Sequence, residues 1–402
     1  MLSCVLATAV SPATLVNMPF GLFITELERQ FHWGRAEITG ALSLFITVLV
    51  VLLPLAGRLL DGVGPRRLGI SSMVAYGAVL MTLSALDASL PHLYAAYALL
   101  AITGIGAQSV TFLKVLTSWF DRRRGAVIGI CMAGFGIGYA LIPTITRVLI
   151  EAYGWRVAYF GLGVLVLAVP LPVAILLLPN EPPARTIVDT AEQSAERPRR
   201  SVSEPGLSLG QALRRREFWL LGTSFALTSF ALNGLQSQLA PLLSGRQIGL
   251  REAAGVLSVF GVGSFPGRVV VGWLMDRVFV PHLTIAFYCL AAVAMWLLVR
   301  TEQLPLIYCC ALLIGVSLGA ENDVLGYLAG RYFGLRCFGQ LYAALLATYL
   351  SGAALGPLVM ARVYDVTHHY DPAILAAIAF MGISCVMFAR LGDYRRYAHE
   401  RR

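Results

Sequence analysis

Charge is scarce in this 402-residue chain: Asp, Glu, Lys and Arg make up 13% of it against 57% hydrophobic residues, and Lys114 is its single lysine. Soluble domains carry about 25% charged residues, so the chain has too little polar surface to coat a water-soluble globule of its length. That argues against a soluble enzyme. Cysteine is scarce and odd in number, and Cys4, Cys131, Cys289, Cys309, Cys310, Cys337 and Cys385 lie mostly inside apolar runs with no CxxC spacing. They read as small packing residues. The six histidines fall in predicted loops or the tail, so neither a metal centre nor a cofactor is expected. No catalytic triad spacing, phosphate loop or N-glycosylation sequon is present. The glycines Gly134, Gly136 and Gly138 sit in an apolar run with no strand before them, which points to close helix packing rather than phosphate binding. No basic residue precedes Arg29, so the first apolar run lacks the positive start of a cleaved signal peptide and reads as a retained helix.

What the chain does have is long apolar runs, with a mean hydropathy of +0.73. A membrane-crossing helix takes ~20 residues, and twelve candidates fit: Leu6–Thr25, Ile38–Ala56, Leu68–Ala85, Leu93–Thr117, Gly125–Ile150, Val157–Leu178, Phe218–Leu242, Ala253–Leu274, Leu283–Val299, Leu306–Leu328, Gln340–Ala361 and Pro372–Leu391. Barrel-type alternation is missing, so helices are the spanning element. If the helices alternate, Arg58, Arg66, Arg67, Arg122, Arg123, Arg124, Arg331, Arg336 and the terminal Arg395, Arg396, Arg401 and Arg402 all share one side. The opposite loops are less basic and partly balanced by Glu26, Glu28, Glu37 and Glu252. The positive-inside rule then predicts both termini in the cytoplasm of a cell's inner or plasma membrane. It also accounts for the net charge of +9 without nucleic acid.

Residues 179–216, rich in Pro, Arg, Glu and Ser, read as a cytoplasmic linker between a first bundle at 1–178 and a second at 217–402, ending in a short capped helix from Ser208. The two bundles echo each other. Gly40-Ala41-Leu42-Ser43-Leu44-Phe45 matches Gly255-Val256-Leu257-Ser258-Val259-Phe260, and Gly57 with Asp61 matches Gly272 with Asp276, all at one offset. Gly106 and Gly138 have counterparts in Gly319 and Gly352. Repeated six-helix halves point to a transporter, in which one half rocks against the other around a midplane site.

The stretch Gly57-Arg58-Leu59-Leu60-Asp61-Gly62-Val63-Gly64-Pro65-Arg66-Arg67, read as the loop after helix 2, and its second copy Gly272-Trp273-Leu274-Met275-Asp276-Arg277 resemble the loop 2–3 signature of the major facilitator superfamily. Gly62 stands where that signature usually has a basic residue. Glycine lets helices approach, and each aspartate can accept charge-assisted bonds from arginine, so the two stretches are expected to act as a gating latch. Trp33-Gly34-Arg35-Ala36-Glu37, Trp119-Phe120-Asp121-Arg122-Arg123-Arg124-Gly125, Gly154-Trp155-Arg156 and Arg331-Tyr332-Phe333-Gly334 further resemble the monocarboxylate transporter homologues and oxalate–formate exchangers. The resemblance implies an all-α polytopic membrane protein of major facilitator fold, twelve transmembrane helices in two six-helix repeats. It also implies secondary active transport of a small organic anion, with a proton or in exchange for another anion. Neither nucleic acid nor an enzymatic reaction is expected; the lipid bilayer is the other partner.

Ionisable residues inside spans are costly and therefore functional candidates. Arg268 matches the family's helix 8 arginine through its spacing to Gly272 and Asp276, and its planar fork suits a carboxylate; the bland alternatives are a structural ion pair with a neighbouring helix and a side chain reaching toward the cytoplasmic interface. Lys114 reads as a snorkelling side chain. The family's helix 1 lysine falls at Met18 and its helix 8 acid at Ser264, so proton coupling would pass to Glu321 or Asp323, either of which could instead brace Arg268. Asn233, Gln236, Gln238, Tyr342 and Tyr349 are candidates for neutral hydrogen bonds to substrate, or for gluing helices together. Two rival readings are a proton-driven exporter of amphipathic compounds and a non-transporting membrane sensor that keeps the fold.

Overall fold

The computed structural model describes residues 2–108, 111–112, 124–177, 206–275, 277–334 and 337–392. Among them twelve helical segments are long and apolar enough to cross a membrane. They are α1, built from Leu2–Ala9, Ala13–Asn17 and Phe20–Phe31; α2, Arg35–Val63; α3, Pro65–Thr82; α4, Leu90–Thr103 with a 3-10 turn Gly104–Ala107; α5, Arg124–Tyr153; α6, Trp155–Ala168 continued by Pro170–Leu177; α7, Arg216–Gly245; α8, Leu250–Met275; α9, Val280–Arg300; α10, Leu304–Phe333; α11, Phe338–Thr367; and α12, Asp371–Ala389. The even number of spans puts the start of α1 and the end of α12 on one face, called here the terminal face. Side chains such as Val51, Leu176 and Trp219 are exposed, as lipid-facing residues are, while the polar ends of the helices find partners.

Sequence explains most boundaries. Pro12 and Pro19 remove backbone donors within the first span, which breaks into two helices around a π turn at Ala13–Asn17, with Ser11 and Thr14 hydroxyls 2.9 Å apart in the gap. Ser208 caps the short helix Leu209–Leu213 by accepting from the Gln211 N–H at 3.3 Å. Between α2 and α3 stands only Gly64, at φ 84, a conformation that favours glycine. This corrects the expectation of a loop: Gly57 to Val63 continue α2, and Pro65 opens α3 at once. Nothing in Gly57–Val63 breaks a helix until a positive φ turns the chain.

The repeat predicted from sequence reappears as packing. In the first half, a Cβ at Gly138 would collide with the Ala9 carbonyl oxygen; in the second, one at Gly352 would collide with that of Ala226. Thus α5 lies tight on α1 and α11 tight on α7, backbone to backbone. Likewise Tyr94 sits over Gly40 and Tyr308 over Gly255, linking α4 to α2 and α10 to α8. Between the halves, α5 crosses α8 where Tyr139 fills the space over Gly261, and α2 meets α11 where the Ser43 hydroxyl donates to the Ala354 carbonyl at 2.6 Å.

Candidate substrate site and gate

Arg268 lies on α8 seven residues after Gly261, so both project from the face that meets α5. Its guanidinium carbon is 5.8 Å from the Phe135 ring centroid, and the side chain is half-buried. Tyr139 of α5, Asp323 of α10 and Tyr342 of α11 are its electrostatic neighbours. Asp323 is exposed, so open space adjoins the pair. Among the described residues Arg268 makes no hydrogen bond and no ion pair within 4.0 Å. The ion pair expected as one bland alternative is therefore not made at contact distance among the described residues.

Glu321, two residues earlier on α10, occupies a different environment. It is 1% exposed. The Tyr288 hydroxyl of α9 donates to its Oε1 at 3.4 Å, while its Oε2 has no hydrogen-bond partner among the described residues. Thr228 of α7 and Tyr349 of α11 complete its surroundings, and the Thr228 hydroxyl is also 3.3 Å from that of Tyr288. A buried carboxyl with one unsatisfied oxygen is costly. Asn233 donates to the Ser229 carbonyl and hydroxyl one turn back at 3.0 and 3.1 Å, and adjoins Tyr349. Tyr349 in turn neighbours Tyr139, so two tyrosines join the Arg268 group to the Glu321 group.

The other sequence candidates are placed elsewhere. Gln236 is buried between the halves with its Nε2 3.3 Å from Met18 Sδ. Gln238 donates to Thr39 Oγ1 at 3.1 Å, also between the halves but toward the face opposite the termini. Ser264, at the position of the family's helix 8 acid, bonds back to the Gly261 carbonyl at 2.7 Å. Arg277 bonds to the Trp273 carbonyl at 3.1 Å and lies over its ring, and Arg66 donates to the Ile175 carbonyl at 2.7 Å. Arg67 is exposed. Gly272 is exposed, with nothing among the described residues where a Cβ would stand, so no described helix packs on it in this conformation, contrary to the sequence reading. Asp276 and Lys114 lie outside the described residues, as does the side chain of Asp61.

A second group, missed in the sequence, closes the face opposite the termini. Asp365, in the last turn of α11, accepts from the backbone N–H groups of Arg35 at 3.0 Å and Ala36 at 2.8 Å. The N-terminus of α2 in the first half is thus capped by a carboxylate of the second half, the arrangement a helix dipole favours. Arg35 is only 6% exposed. Its guanidinium pairs with Glu28 at 2.9 Å, donates to the Tyr370 hydroxyl at 2.8 Å and stacks 3.7 Å over the Tyr364 ring. Tyr370 passes the bond on to Gln238 Oε1 at 2.9 Å. Burial pushes the Tyr370 pKa above the ordinary tyrosine value, with Arg35 pulling less strongly the other way. The signal in sequence was an arginine and an aspartate at two helix ends, each of which reads as an ordinary loop charge until the halves are brought together.

The profile of the Major Facilitator Superfamily matches residues 5–357. Human monocarboxylate transporter 11 is 28% identical over 373 residues, spanning 88% of this chain and 74% of that protein. The uncharacterized MFS-type transporter YcxA of Bacillus subtilis (strain 168) is 24% identical over 388 residues, 92% of this chain and 89% of its own. A bacterial homolog of the human lysosomal transporter Spinster, solved in an inward-facing and occupied conformation, superposes with a TM-score of 0.74 at 15% identity, covering 96% of this chain and 95% of that one.

Proposed function

Because the chain belongs to the major facilitator superfamily, and is by fold and relatives a multi-pass transporter rather than an enzyme, we propose that it carries a small, monocarboxylate-like organic anion by alternating access. The observation that carries this reading is Arg268. It is a cation within a span, seven residues before α8 ends at Met275, facing the other half of the bundle beside open space, with no hydrogen bond made by its fork among the described residues. Burying such a group unused would be costly, and a carboxylate is the ligand that a planar guanidinium binds by two bonds. Asp323 balances the arginine when no anion is present and yields to it when one arrives. Tyr342 and Tyr349, with Asn233 beside Tyr349, supply neutral hydrogen bonds, whereas Gln236 is engaged with Met18.

Proton coupling is assigned to α10. Met18 and Ser264 cannot titrate, and Glu321 is the buried carboxyl at the site whose neighbours are all uncharged. Its proton would be exchanged as the halves rock. The basic loops support a cytoplasmic terminal face in an inner or plasma membrane, by the positive-inside rule. With the opposite face shut by Arg35 and Asp365, we read the conformation as inward-facing, as in the Spinster homolog. Gly57, Asp61, Arg66 and Arg67, with Gly272, Asp276 and Arg277, would form the matching latch on the cytoplasmic side once the halves swing back.

The test is uptake of radiolabelled L-lactate, pyruvate and benzoate into vesicles. Arg268→Gln is expected to abolish uptake of whichever acid the wild type carries. Glu321→Gln should preserve exchange but remove acceleration by a proton gradient. Uptake unchanged in Arg268→Gln refutes the anion site.

A further inference from the structure

Beyond a carboxylate on Arg268, the surroundings of that arginine specify what the rest of the substrate looks like. Phe135 and Tyr139 project from α5 at successive turns, their ring centroids 6.1 Å apart at 61°. Phe135 also lies 5.8 Å from the guanidinium carbon. Tyr342 of α11 stands on another side of the same arginine. All three rings are half-buried, so each is partly exposed, in contrast to the fully covered Tyr288. Asp323 is the other neighbour of Arg268 among the described residues.

The ring wall is brought to this place by missing side chains. A Cβ at Gly261 would lie 2.5 Å from Tyr139 Cβ, and one at Gly136 would lie 3.1 Å from Phe265 Cβ. With glycine at both positions, α5 and α8 approach closely enough to set the rings beside the arginine of the other half. Phe135 and Tyr139 offer a substrate body π faces and edges, with the tyrosine hydroxyls as the hydrogen-bonding groups.

Resting on the anion reading of Arg268, we propose that the transported anion is an aromatic monocarboxylate, whose ring is received by Phe135 and Tyr139. In such an acid the carboxylate is conjugated with the ring and coplanar with it. A fork-to-carboxylate pair at Arg268 then fixes the plane of the whole molecule and presents the ring edge or face to the two α5 rings, the geometry in which aromatic pairs attract. The substrate is shared between a cation of the second half and a ring wall of the first, so its binding reports on the relative position of the halves.

The experiment measures binding to purified, detergent-solubilised protein by thermal shift and calorimetry. Its probes are benzoate, cyclohexanecarboxylate, which has a similar ring without a π face, and propionate. Wild type is expected to bind benzoate roughly three- to tenfold more tightly than cyclohexanecarboxylate. Phe135→Leu and Tyr139→Leu should bring that ratio toward one, and because the ratio compares two ring acids on the same variant, any shared effect on Arg268 cancels from it. Tyr139→Phe keeps the ring and should keep the preference, which separates loss of the π face from a folding defect. Equal binding of benzoate and cyclohexanecarboxylate by wild type overturns the aromatic assignment and leaves Arg268 as a carboxylate site. A preference that survives both leucine variants overturns the role of the α5 wall. Failure of all three acids to bind overturns this inference and the anion reading together.

Discussion

Replacing Asp365 with Ala should release the face opposite the termini. Two backbone N–H groups of α2 depend on this one carboxylate, at 3.0 and 2.8 Å. A hydrogen bond to a charged group contributes about 1.5–3 kcal/mol, and loss of a capping side chain to alanine costs about 0.5–2 kcal/mol. These describe overlapping effects, and Asp365 is half-buried, so about 2–3 kcal/mol is a reasonable figure for the pair. All of it is lost when the halves part, because donor and acceptor lie in different halves. At about 1.4 kcal/mol per decade, the population open on that face should rise roughly 30- to 150-fold. Asp365→Asn keeps one oxygen acceptor and loses the charge, so about 1 kcal/mol and roughly fivefold are expected. The reporter is a cysteine at position 43, introduced with the native cysteines replaced. The Ser43 side chain is 9% exposed and bonds across the halves to Ala354, so a thiol there reacts with a bulky maleimide only when the halves separate. Labelling rates should rank Ala above Asn above Asp. A change below about threefold for Asp365→Ala would show that the cross-half cap does not hold the gate.

Two further predictions follow from the same packing. Gly319→Ala should lower thermal stability in detergent by the equivalent of about 1–3 kcal/mol, because its Cβ would collide with the Ser264 carbonyl, whereas Gly272→Ala, with open space around it, should be neutral; equal melting temperatures for the two would refute the close α8–α10 crossing. The raised Tyr370 pKa makes a signed prediction. The folded protein holds that proton more tightly than the unfolded chain, so the stabilisation is complete below the ordinary tyrosine pKa of about 10 and is lost as pH rises beyond it. Tyr370→Phe should therefore show a shallower fall in melting temperature above pH ~10 than wild type, and parallel curves would refute the linkage.

The membrane class, the twelve spans and the internal repeat were legible because each rests on a signal spread over many residues. A misread of a few positions does not erase an apolar run of ~20 residues. Where the sequence reading failed, the signal was a single torsion or a pairing across the chain. The stretch Gly57–Val63 carries glycines and charge, as a loop would, yet it is helical up to Gly64 because only there does φ become positive. The end of α11 was placed at Ala361, six residues short of Thr367, which left Asp365 in an apparent loop.

The site shows the same division. Arg268 stood out because a cation within an apolar span is expensive wherever it points. Which acid faces it did not, since Glu321 and Asp323 differ by two positions, or about 200° around a helix of 3.6 residues per turn. That rotation puts Asp323 beside the arginine and Glu321 among Tyr288, Thr228 and Tyr349, and so sets the two acids in different surroundings. Phe135 and Tyr139 were invisible for the opposite reason: an aromatic in an apolar span costs nothing and is noticed by no charge filter. What gives them meaning is Gly261 on the other half, and no periodicity within α5 can report a glycine on α8. Composition therefore finds the groups a membrane penalises, while the groups that would shape the substrate, being apolar, become apparent only when the two halves are assembled.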